Sequence, residues 1–280
     1  KNLIEIQLNG AIIESFQCDD PLGYIDELQK SFELKKNEDL PIFNGGLVGY
    51  FGYDCVRYIE NKLVNSEPPD QIGTPDALFM VSDEVAVFDN LKNKLHLIVL
   101  VESEADLEKA NARLDELENK LKESLPFEEF NKPVRSIKES DFMSGFGEEK
   151  FKLSVEKAKE YIESGDIMQV VCSQRMSIPF NADPVALYRS IRQLNPSPYM
   201  YYLNLDEFHI VGSSPEILAR LEDGKITVRP IAGTRRRGKD EQDDKAMEED
   251  MVNDPKEIAE HLMLIDLGRN DVGRVAKAGT

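Results

Sequence analysis

The sequence predicts an α+β fold, in which antiparallel strand pairs and helices follow one another along the chain. Two kinds of observation support this prediction. Asn9-Gly10 and Asp223-Gly224 are dipeptides typical of two-residue hairpin turns, and each lies between runs of strand-forming residues. Helices with identifiable first turns interrupt these strand pairs. Antiparallel pairs separated by helices favour α+β over a doubly wound parallel sheet.

In the first half of the chain, the hydrophobic periodicity predicts two hairpins and two helices. Strands are expected in 3–16, 77–88 and 94–102, and helices over 21–35 and 103–123. Ser103 and Asp106 have the spacing of a helix cap with an acidic residue three positions later. Gly46, Gly49 and Gly52 form neither a GxGxxG fingerprint nor a phosphate loop with its lysine. We therefore interpret these glycines as positions where strands pack closely.

The second half is patterned more strongly. The predicted helices are 148–164, ended by Gly165, and 184–194, begun by Asp183 and Pro184. The predicted strands are 167–178, 201–205, 208–212, 217–221 and 225–230. The segment 125–144 has no periodicity and predicts a boundary. We expect an N-terminal region over 1–130 and a second region over 141–280.

Composition argues against several classes of function. The formal net charge is -19, from 53 acidic and 34 basic residues. Nucleic-acid and acidic-membrane partners are not expected, because phosphate binding requires clustered Lys and Arg. The longest apolar run, 97–101, is far too short to cross a membrane. Cys18, Cys55 and Cys172 show no CxxC spacing, which predicts free thiols in a reducing cytoplasm.

The stretch from Pro230 to Arg274 contains the densest candidate chemistry. Gly233 allows the backbone to approach a ligand closely, and Thr234 adds a hydroxyl beside it. Asp254 and Pro255 suit the cap and the first turn of a helix.

This helix is predicted to have an apolar stripe and a polar flank. The stripe consists of Ile258, Leu262 and Ile265. Glu257, Glu260 and His261 fall together on the flank, three and four residues apart. Two carboxylates and an imidazole beside a buried face form either a solvated rim or a site for a hard cation such as Mg²⁺. Spacing alone favours the rim, because charged flanks are the default on surface helices.

Six motifs in this order resemble the chorismate-utilising enzymes and, within that family, the anthranilate synthase large subunits. They are GGLVGY from Gly45, GDIMQVVCSQR from Gly165, NPSPYM from Asn195, GSSPE from Gly212, PIAGTR from Pro230, and the segment from Asp254 to Asp271. Each motif is weak alone, but the ordered set is specific and covers nearly the whole chain. The resemblance implies an α+β fold with antiparallel sheets packed face to face and helices outside.

The resemblance also implies a lyase reaction. In this family Mg²⁺ holds the ring carboxylate of chorismate, an amine adds at C2 while the C4 hydroxyl leaves, and pyruvate is eliminated. It implies that Glu260 is a Mg²⁺ ligand and that Glu257 is a neighbouring carboxylate of the site. Gly233 and Thr234 match the turn that contacts chorismate. Glu216 matches a carboxyl near the departing hydroxyl, where a general acid is useful.

Alternatives stay open for two residues near this site. Glu216 also fits a solvated turn residue after Ser213-Ser214-Pro215. His261 is adjacent to Glu260 but points round the helix, which favours a structural or supporting role.

Two positions distinguish among the family's reactions. The resemblance places Gln169 in the substrate site, where the water-using isochorismate and salicylate synthases carry a lysine. Glutamine cannot act as a general base, which fits ammonia as the nucleophile, supplied by a glutaminase subunit. Ala232 stands where aminodeoxychorismate synthases typically carry a lysine that attacks the substrate. Both residues favour anthranilate formation, the first step of tryptophan biosynthesis, and leave aminodeoxychorismate synthase as the alternative.

The resemblance implies regulation as well. Pro198, Tyr199 and Met200 match the loop that receives L-tryptophan as a feedback inhibitor. Two prolines stiffen this segment and an aromatic ring borders it, which suits an indole. A core loop without a ligand, or a non-catalytic module that binds tryptophan or a partner, is the alternative.

Some family features have no match in this sequence. They are a Leu-Leu-Glu-Ser strand of the tryptophan pocket, a catalytic His, an Arg and Gly-rich segment for the substrate carboxylates, and a second Mg²⁺ glutamate. The chain also begins at Lys1 rather than Met. We therefore expect a fragment that is inactive by itself.

Overall fold

The computed structural model describes residues 2–32, 39–124 and 135–280. The helices are α1 (Pro21–Ser31), α2 (Leu107–Lys122), α3 (Glu148–Glu163), α4 (Pro184–Leu194), α5 (Glu241–Asn253) and α6 (Pro255–Gly273). The strands are β1 (Leu3–Leu8), β2 (Ala11–Gln17), β3 (Gly46–Phe51), β4 (Ala77–Ser82), β5 (Glu84–Asp89), β6 (Lys94–Val99), β7 (Met143–Ser144), β8 (Met176–Ser177), β9 (Tyr199–Asn204), β10 (His209–Ser214), β11 (Arg220–Glu222) and β12 (Lys225–Thr227).

Within the described residues, every strand pairs antiparallel with one partner. The pairs are β1–β2, β3–β4, β5–β6, β7–β8, β9–β10 and β11–β12. Asn9 and Gly10, with φ of 52° and 78°, form the turn between β1 and β2, and Asp223 and Gly224 do the same between β11 and β12. Positive φ at both positions is the geometry that two-residue hairpins require. The α+β prediction with antiparallel strands is confirmed.

The chain divides into two compact units, Lys1–Pro126 and Phe127–Thr280. The aperiodic segment predicted as a boundary falls partly in residues 125–134, which lie outside the described residues. The last part of the predicted first helix, residues 33–35, also lies outside them. In the first unit α2 packs on β6, and in the second α4 packs on β9 and β10.

The single strand expected over 77–88 is wrong. The chain forms β4 and β5 with a break at Asp83, because β4 pairs with β3 whereas β5 pairs with β6. The carbonyl of Asp83 accepts a hydrogen bond from the Leu100 N–H at 2.8 Å, at the open end of the β5–β6 hairpin. The nearly continuous apolar pattern of 77–88 therefore does not reveal that the chain changes its pairing strand at Asp83.

The strand expected over 167–178 is also wrong for most of its length. Only Met176–Ser177 forms a strand, and its partner is the equally short Met143–Ser144. Strand propensity alone does not make a ladder, because the backbone groups of a strand need a neighbouring strand as hydrogen-bond partner. The helix before this segment ends as predicted, with Gly165 at φ 79°.

The interpretation that the glycines of 46–52 permit close packing is confirmed for Gly49 and Gly52 but not for Gly46, where nothing lies within 4 Å of an added Cβ. Gly49 is the most closely packed of the three. It lies opposite Phe79 in the β3–β4 ladder. A Cβ added at Gly49 would lie 1.9 Å from the carbonyl oxygen of Leu78 and 2.8 Å from Cα of Phe79. Both contacts are to backbone, so the ladder itself would have to shift.

Gly49→Ala is therefore expected to lower the free energy of unfolding by about 3 kcal/mol, the upper part of the range for overpacking. Urea denaturation followed by circular dichroism measures this loss. Gly145→Ala is the matched control, because nothing lies within 4 Å of a Cβ at Gly145. A Gly49→Ala loss below about 0.5 kcal/mol, the usual size of surface effects, would contradict the prediction.

The buried apolar residues of the described chain are Cys55, Ile98, Ala110 and Leu205. Cys18, Cys55 and Cys172 are free thiols, as predicted. In the part of the chain that the structure describes, no helix has both the length and the apolar composition needed to cross a membrane.

Candidate functional site

The turn at Gly233 lies against the corner between α5 and α6. Gly233 has φ of 93°, a left-handed conformation that favours glycine. A Cβ at this position would lie 3.2 Å from Sδ of Met251 on α5 and 3.6 Å from Oε2 of Glu257 on α6. The backbone therefore approaches both helices closely, and one of its neighbours is a carboxylate oxygen.

The helix α6 begins as predicted, but its apolar stripe is exposed rather than buried. Asp254 caps it by accepting a hydrogen bond from the Lys256 N–H at 2.9 Å, with Pro255 in the first turn. The stripe of Ile258, Leu262 and Ile265 was expected beside a buried face, but these side chains are 44%, 59% and 42% exposed. That expectation is wrong within the described residues.

The face of α6 that contacts the rest of the second unit is its polar flank. Glu257 lies beside Gly233, and about three turns further on a Cβ at Gly268 would lie 3.2 Å from Cγ2 of Val228. The segment from Val228 to Gly233 thus runs along this flank. The Glu257 side chain is 15% exposed, which does not fit the solvated rim that spacing alone favoured.

Arg235 connects the turn to both helices. Its Nε donates to Asp250 Oδ2 on α5 at 2.7 Å, its Nη2 donates to Asp254, and its Nη1 donates to Glu257 Oε1 at 3.0 Å. Nη1 also donates to the carbonyl oxygen of Thr234 at 3.1 Å. The carboxylates raise the pKa of the guanidinium further, so Arg235 is a permanent cation.

The next two arginines, Arg236 and Arg237, form ion pairs with α5. Arg236 pairs with Asp243 and Arg237 with Asp244, each at 3.0 Å. The N–H of Gly238 also donates to Asp244 Oδ1 at 2.7 Å, so two of the three acids in the first turn of α5 are held by the preceding segment. Each of the three arginines in the densest basic cluster of the sequence is therefore paired with acids of the same chain.

Glu216 is attached to the segment that leads into the turn. Its Oε1 accepts a hydrogen bond from the Ile231 N–H at 2.8 Å. Glu216 is exposed to solvent, as the alternative of a solvated turn residue expects, but the hydrogen-bond partner of its carboxylate is fifteen residues away. Glu216, the Gly233–Thr234 turn and Glu257 therefore belong to one connected arrangement through Ile231 and Arg235.

Glu260 lies one turn beyond Glu257 on the same flank and is half-buried. His261 next to it has a buried Nδ1 with no hydrogen-bond partner within the described residues. The described part of the chain contains no group of three or more His, Cys, Asp or Glu arranged to hold a metal ion. Two carboxylates remain, and Mg²⁺ is commonly held by one or two protein carboxylates, with water and substrate completing its shell.

The donor chemistry therefore fits Mg²⁺. Glu257 binds Arg235 through Oε1 and has Oε2 directed toward Gly233. Arg235 contributes one positive charge among the three carboxylates that it binds, so negative charge remains for a cation to compensate. Hard oxygen ligands with surplus negative charge are what this ion requires.

Gln169 is not joined to this arrangement. It is exposed in the irregular segment between α3 and β8, and no contact in the described chain connects it to Glu216, Glu257 or Gly233. Its predicted place in the substrate site stays a prediction.

The segment predicted to bind tryptophan enters β9. Pro198 precedes the strand, while Tyr199 and Met200 are half-buried and pair with Ser214 and Ser213 of β10. Ser213 Oγ donates to the Asn195 carbonyl at 3.0 Å, which ties the loop to the hairpin. The segment is thus a strand edge supported by α4 rather than a free loop.

Sequence analysis missed α5 and the role of Arg235. The acidic run after Lys239 forms α5, which Asp240 caps by accepting from the Asp243 N–H at 2.9 Å. The acidic residues after Asp240 were a sequence signal for this helix, because acids in a first turn interact favourably with the helix dipole. Acids also follow the arginines at a constant spacing of seven residues, from Arg236 to Asp243 and from Arg237 to Asp244.

The corner between α5 and α6 is expected to lose stability in acid. The hydrogen bond from the Lys256 N–H and then the Arg235 guanidinium hold the pKa of the Asp254 carboxyl below its usual range. A carboxyl whose pKa is lowered by folding stabilises the folded state above its unfolded pKa, about 4, and this contribution is lost as the pH falls. Asp254→Asn retains a cap acceptor but removes the charge.

The Asp254→Asn protein is therefore expected to lose less stability than the wild type when urea unfolding is repeated from about pH 6 down to pH 3. Asn270→Ala, a neutral change on the same helix, controls for a general loss of stability. An identical pH slope in the wild type and in Asp254→Asn would contradict the prediction.

Comparison with known proteins identifies the family. The model of the family described as chorismate binding enzyme matches residues 10–280. Anthranilate synthase component 1 of Pseudomonas aeruginosa is 51% identical over 279 residues, an alignment that covers 99% of this chain and 57% of that protein. The protein of the same name from Neisseria gonorrhoeae is 49% identical over 283 residues, covering 99% and 56%.

A solved structure agrees with these relatives. The crystal structure of anthranilate synthase component I from Streptococcus pneumoniae TIGR4 matches with a TM-score of 0.81 at 34% identity. The match covers 98% of this chain and 60% of that chain, so this chain spans little more than half the length of its relatives. Because the family model extends from residue 10 to residue 280, the chain belongs to the chorismate binding enzymes, as its six motifs predicted.

Proposed function

We propose that this chain is the part of an anthranilate synthase large subunit that forms one side of the chorismate site. The full-length protein would convert chorismate and ammonia to anthranilate and pyruvate, the first step of tryptophan biosynthesis. The observation that carries this proposal is the connection of Glu216, the Gly233–Thr234 turn and Glu257 through Ile231 and Arg235. The names of the relatives, at about half identity, support the same reaction.

The turn would contact the substrate through its backbone. Chorismate is a dicarboxylate with a ring hydroxyl, so a site needs donors placed close to its oxygens. Gly233 has no side chain to hold the ligand away, and the Thr234 hydroxyl can donate beside it. The carbonyl of Thr234 is already engaged by Arg235, which fixes the orientation of this peptide.

Glu216 would supply the proton for the departing C4 hydroxyl. Its Oε1 is occupied by the Ile231 N–H, which leaves Oε2 to carry and transfer a proton. A carboxyl held by one hydrogen bond keeps its reactive oxygen in a defined place, which general acid catalysis requires.

Glu260 and Glu257 would hold Mg²⁺. When bound, this ion supplies an electrostatic clamp and a template for the ring carboxylate of chorismate. Both glutamates lie on one flank of α6, and Glu257 has an oxygen beside Gly233, so together they would hold the cation on that side of the helix.

Ammonia is proposed as the nucleophile and a glutaminase subunit as its source. Glutamine at 169 cannot deprotonate water, and alanine at 232 cannot form a covalent adduct with the substrate. L-Tryptophan is proposed as a feedback inhibitor that contacts Pro198, Tyr199 and Met200. Tyr199 and Met200 are half-buried at the start of β9, where an aromatic ligand can stack on an edge that the hairpin keeps rigid.

The test is a fluorescence assay for anthranilate on the full-length protein, with chorismate, Mg²⁺ and excess ammonium. Ammonium replaces the glutaminase subunit, so that partner is not required. Anthranilate formation that depends on chorismate and is abolished by a chelator is the expected result.

Two other outcomes would change the proposal. If chromatography shows aminodeoxychorismate instead, Gln169 and Ala232 do not determine the reaction. If no product forms while calorimetry detects tryptophan binding, the chain is part of a non-catalytic binding module.

A further inference from the structure

We propose that Arg235 is a positioning residue of the chorismate site, which holds the Glu257 carboxylate so that one oxygen remains directed at the Gly233–Thr234 turn. This inference rests on the proposed function, because Glu257 is useful in that orientation only if a cation and a substrate bind there. Its evidence comes from the contacts of one side chain, Arg235.

The geometry of these contacts requires a guanidinium. Arg235 binds three carboxylates and one carbonyl through Nε, Nη1 and Nη2, and these partners come from α5, the junction of the two helices, α6 and the turn itself. A guanidinium presents five donors in a rigid plane, whereas a lysine ammonium is a point charge that cannot reproduce this fork. The arrangement therefore depends on the shape of the side chain as well as on its charge.

The Arg235 contacts are more shielded from water than those of its neighbours. The side chains of Arg235 and Glu257 are 22% and 15% exposed, whereas Arg237 and Asp244 are 93% and 39% exposed. Exposed ion pairs contribute little to stability or order, because solvent and salt screen them. The Arg235–Glu257 pair is shielded enough to fix the rotamer of the glutamate.

The two carboxylate oxygens of Glu257 therefore have different surroundings. Oε1 accepts from Arg235 at 3.0 Å, and Oε2 lies beside Gly233. Without Arg235 the carboxylate would be free to rotate away from the turn and to repel Asp254 and Glu260. Mutation of a residue that orients a metal ligand through a hydrogen bond typically lowers metal affinity or activity by about 10- to 100-fold. We expect a loss of about this size when Arg235 is replaced.

The experiment compares Arg235→Gln, Arg235→Lys and Arg237→Gln in the full-length protein. Two quantities are measured: Mn²⁺ binding without substrate, followed by electron paramagnetic resonance, and the kcat and KM of anthranilate formation with ammonium. Arg235→Gln is expected to weaken Mn²⁺ binding and to lower kcat/KM by about 10- to 100-fold each. Arg235→Lys is expected to restore less than half of this loss on a logarithmic scale, because charge alone does not orient Glu257.

Arg237→Gln is the matched control. It removes an arginine two residues away that pairs with α5 but does not touch Glu257, and it is expected to stay within about twofold of the wild type, as exposed pairs do. If Arg235→Gln does not fold, Asp250→Asn provides the second variant. Asp250 holds Nε of Arg235 from the exposed side, so its loss is expected to weaken Mn²⁺ binding in the same direction by a smaller factor.

The outcomes separate the two proposals. If the wild-type protein forms anthranilate and Arg235→Gln has the same Mn²⁺ affinity and the same kcat/KM as the wild type, the positioning role is overturned and the proposed function is left intact. Full recovery in Arg235→Lys would also overturn it, because a charge effect would then suffice. A wild-type protein that neither binds Mn²⁺ nor forms anthranilate would overturn both.

Discussion

Glu216→Gln is expected to lower the kcat of anthranilate formation by about 10²- to 10⁴-fold, the range for removal of a general acid. The amide oxygen of glutamine can still accept the Ile231 N–H that Glu216 Oε1 accepts at 2.8 Å, so the fold should be unchanged. What is lost is the proton for the departing hydroxyl, because an amide does not ionise. The KM for chorismate should change little, since the hydrogen bond to the turn segment is preserved.

The measurement is steady-state anthranilate fluorescence over a range of chorismate concentrations. Glu207→Gln is the control, since Glu207 is an exposed carboxylate in the turn between β9 and β10. A kcat for Glu216→Gln close to that of Glu207→Gln would assign Glu216 a structural role, limited to its bond with Ile231.

Glu260→Ala is expected to abolish most activity without reducing stability. Glu260 is half-buried and makes no hydrogen bond or ion pair within the described residues, so its removal leaves no partner unsatisfied. Removing a shielded charge without a partner can even raise the free energy of unfolding. The expected loss of kcat/KM is about 10²-fold or more, because a metal clamp contributes several kcal/mol to transition-state stabilisation.

Glu257→Ala supplies the contrast. Glu257 is paired with Arg235, so its removal is expected to reduce both activity and the free energy of unfolding. Urea unfolding and Mn²⁺ binding measured on both variants distinguish these cases. If Glu260→Ala retained wild-type Mn²⁺ affinity and turnover, Glu260 would not be a ligand.

The elements that sequence predicted correctly are those set by local chemistry. Asp183-Pro184 and Asp254-Pro255 begin helices because the cap and the fixed proline φ act within one turn. Asn9-Gly10 forms its hairpin turn because both residues tolerate positive φ. These interactions need no knowledge of the remaining chain.

The features that sequence missed depend on partners distant in the chain. The expected strand over 167–178 shortened to two residues because its ladder partner has only two. The periodicity of α6 predicts a buried apolar stripe, yet the ion pairs of Arg235 with Asp254 and Glu257 hold the neighbouring polar flank against the turn. For the candidate site, the resemblance to the family pointed to Glu216, Glu257 and Glu260, whereas spacing alone favoured a solvated rim. Neither the resemblance nor the spacing could show that Arg235 joins Glu257 to the turn.

The pairing of strands in twos has a consequence for hydrogen exchange. In a two-stranded antiparallel ladder, alternate N–H groups of each strand point away from the partner. Along β9 and β10, amide protons should therefore alternate between slow and fast exchange with solvent, residue by residue. A further strand added to either edge would protect only the fast set. Exchange measured by NMR on the β9–β10 hairpin would thus report the docking of another strand at individual positions.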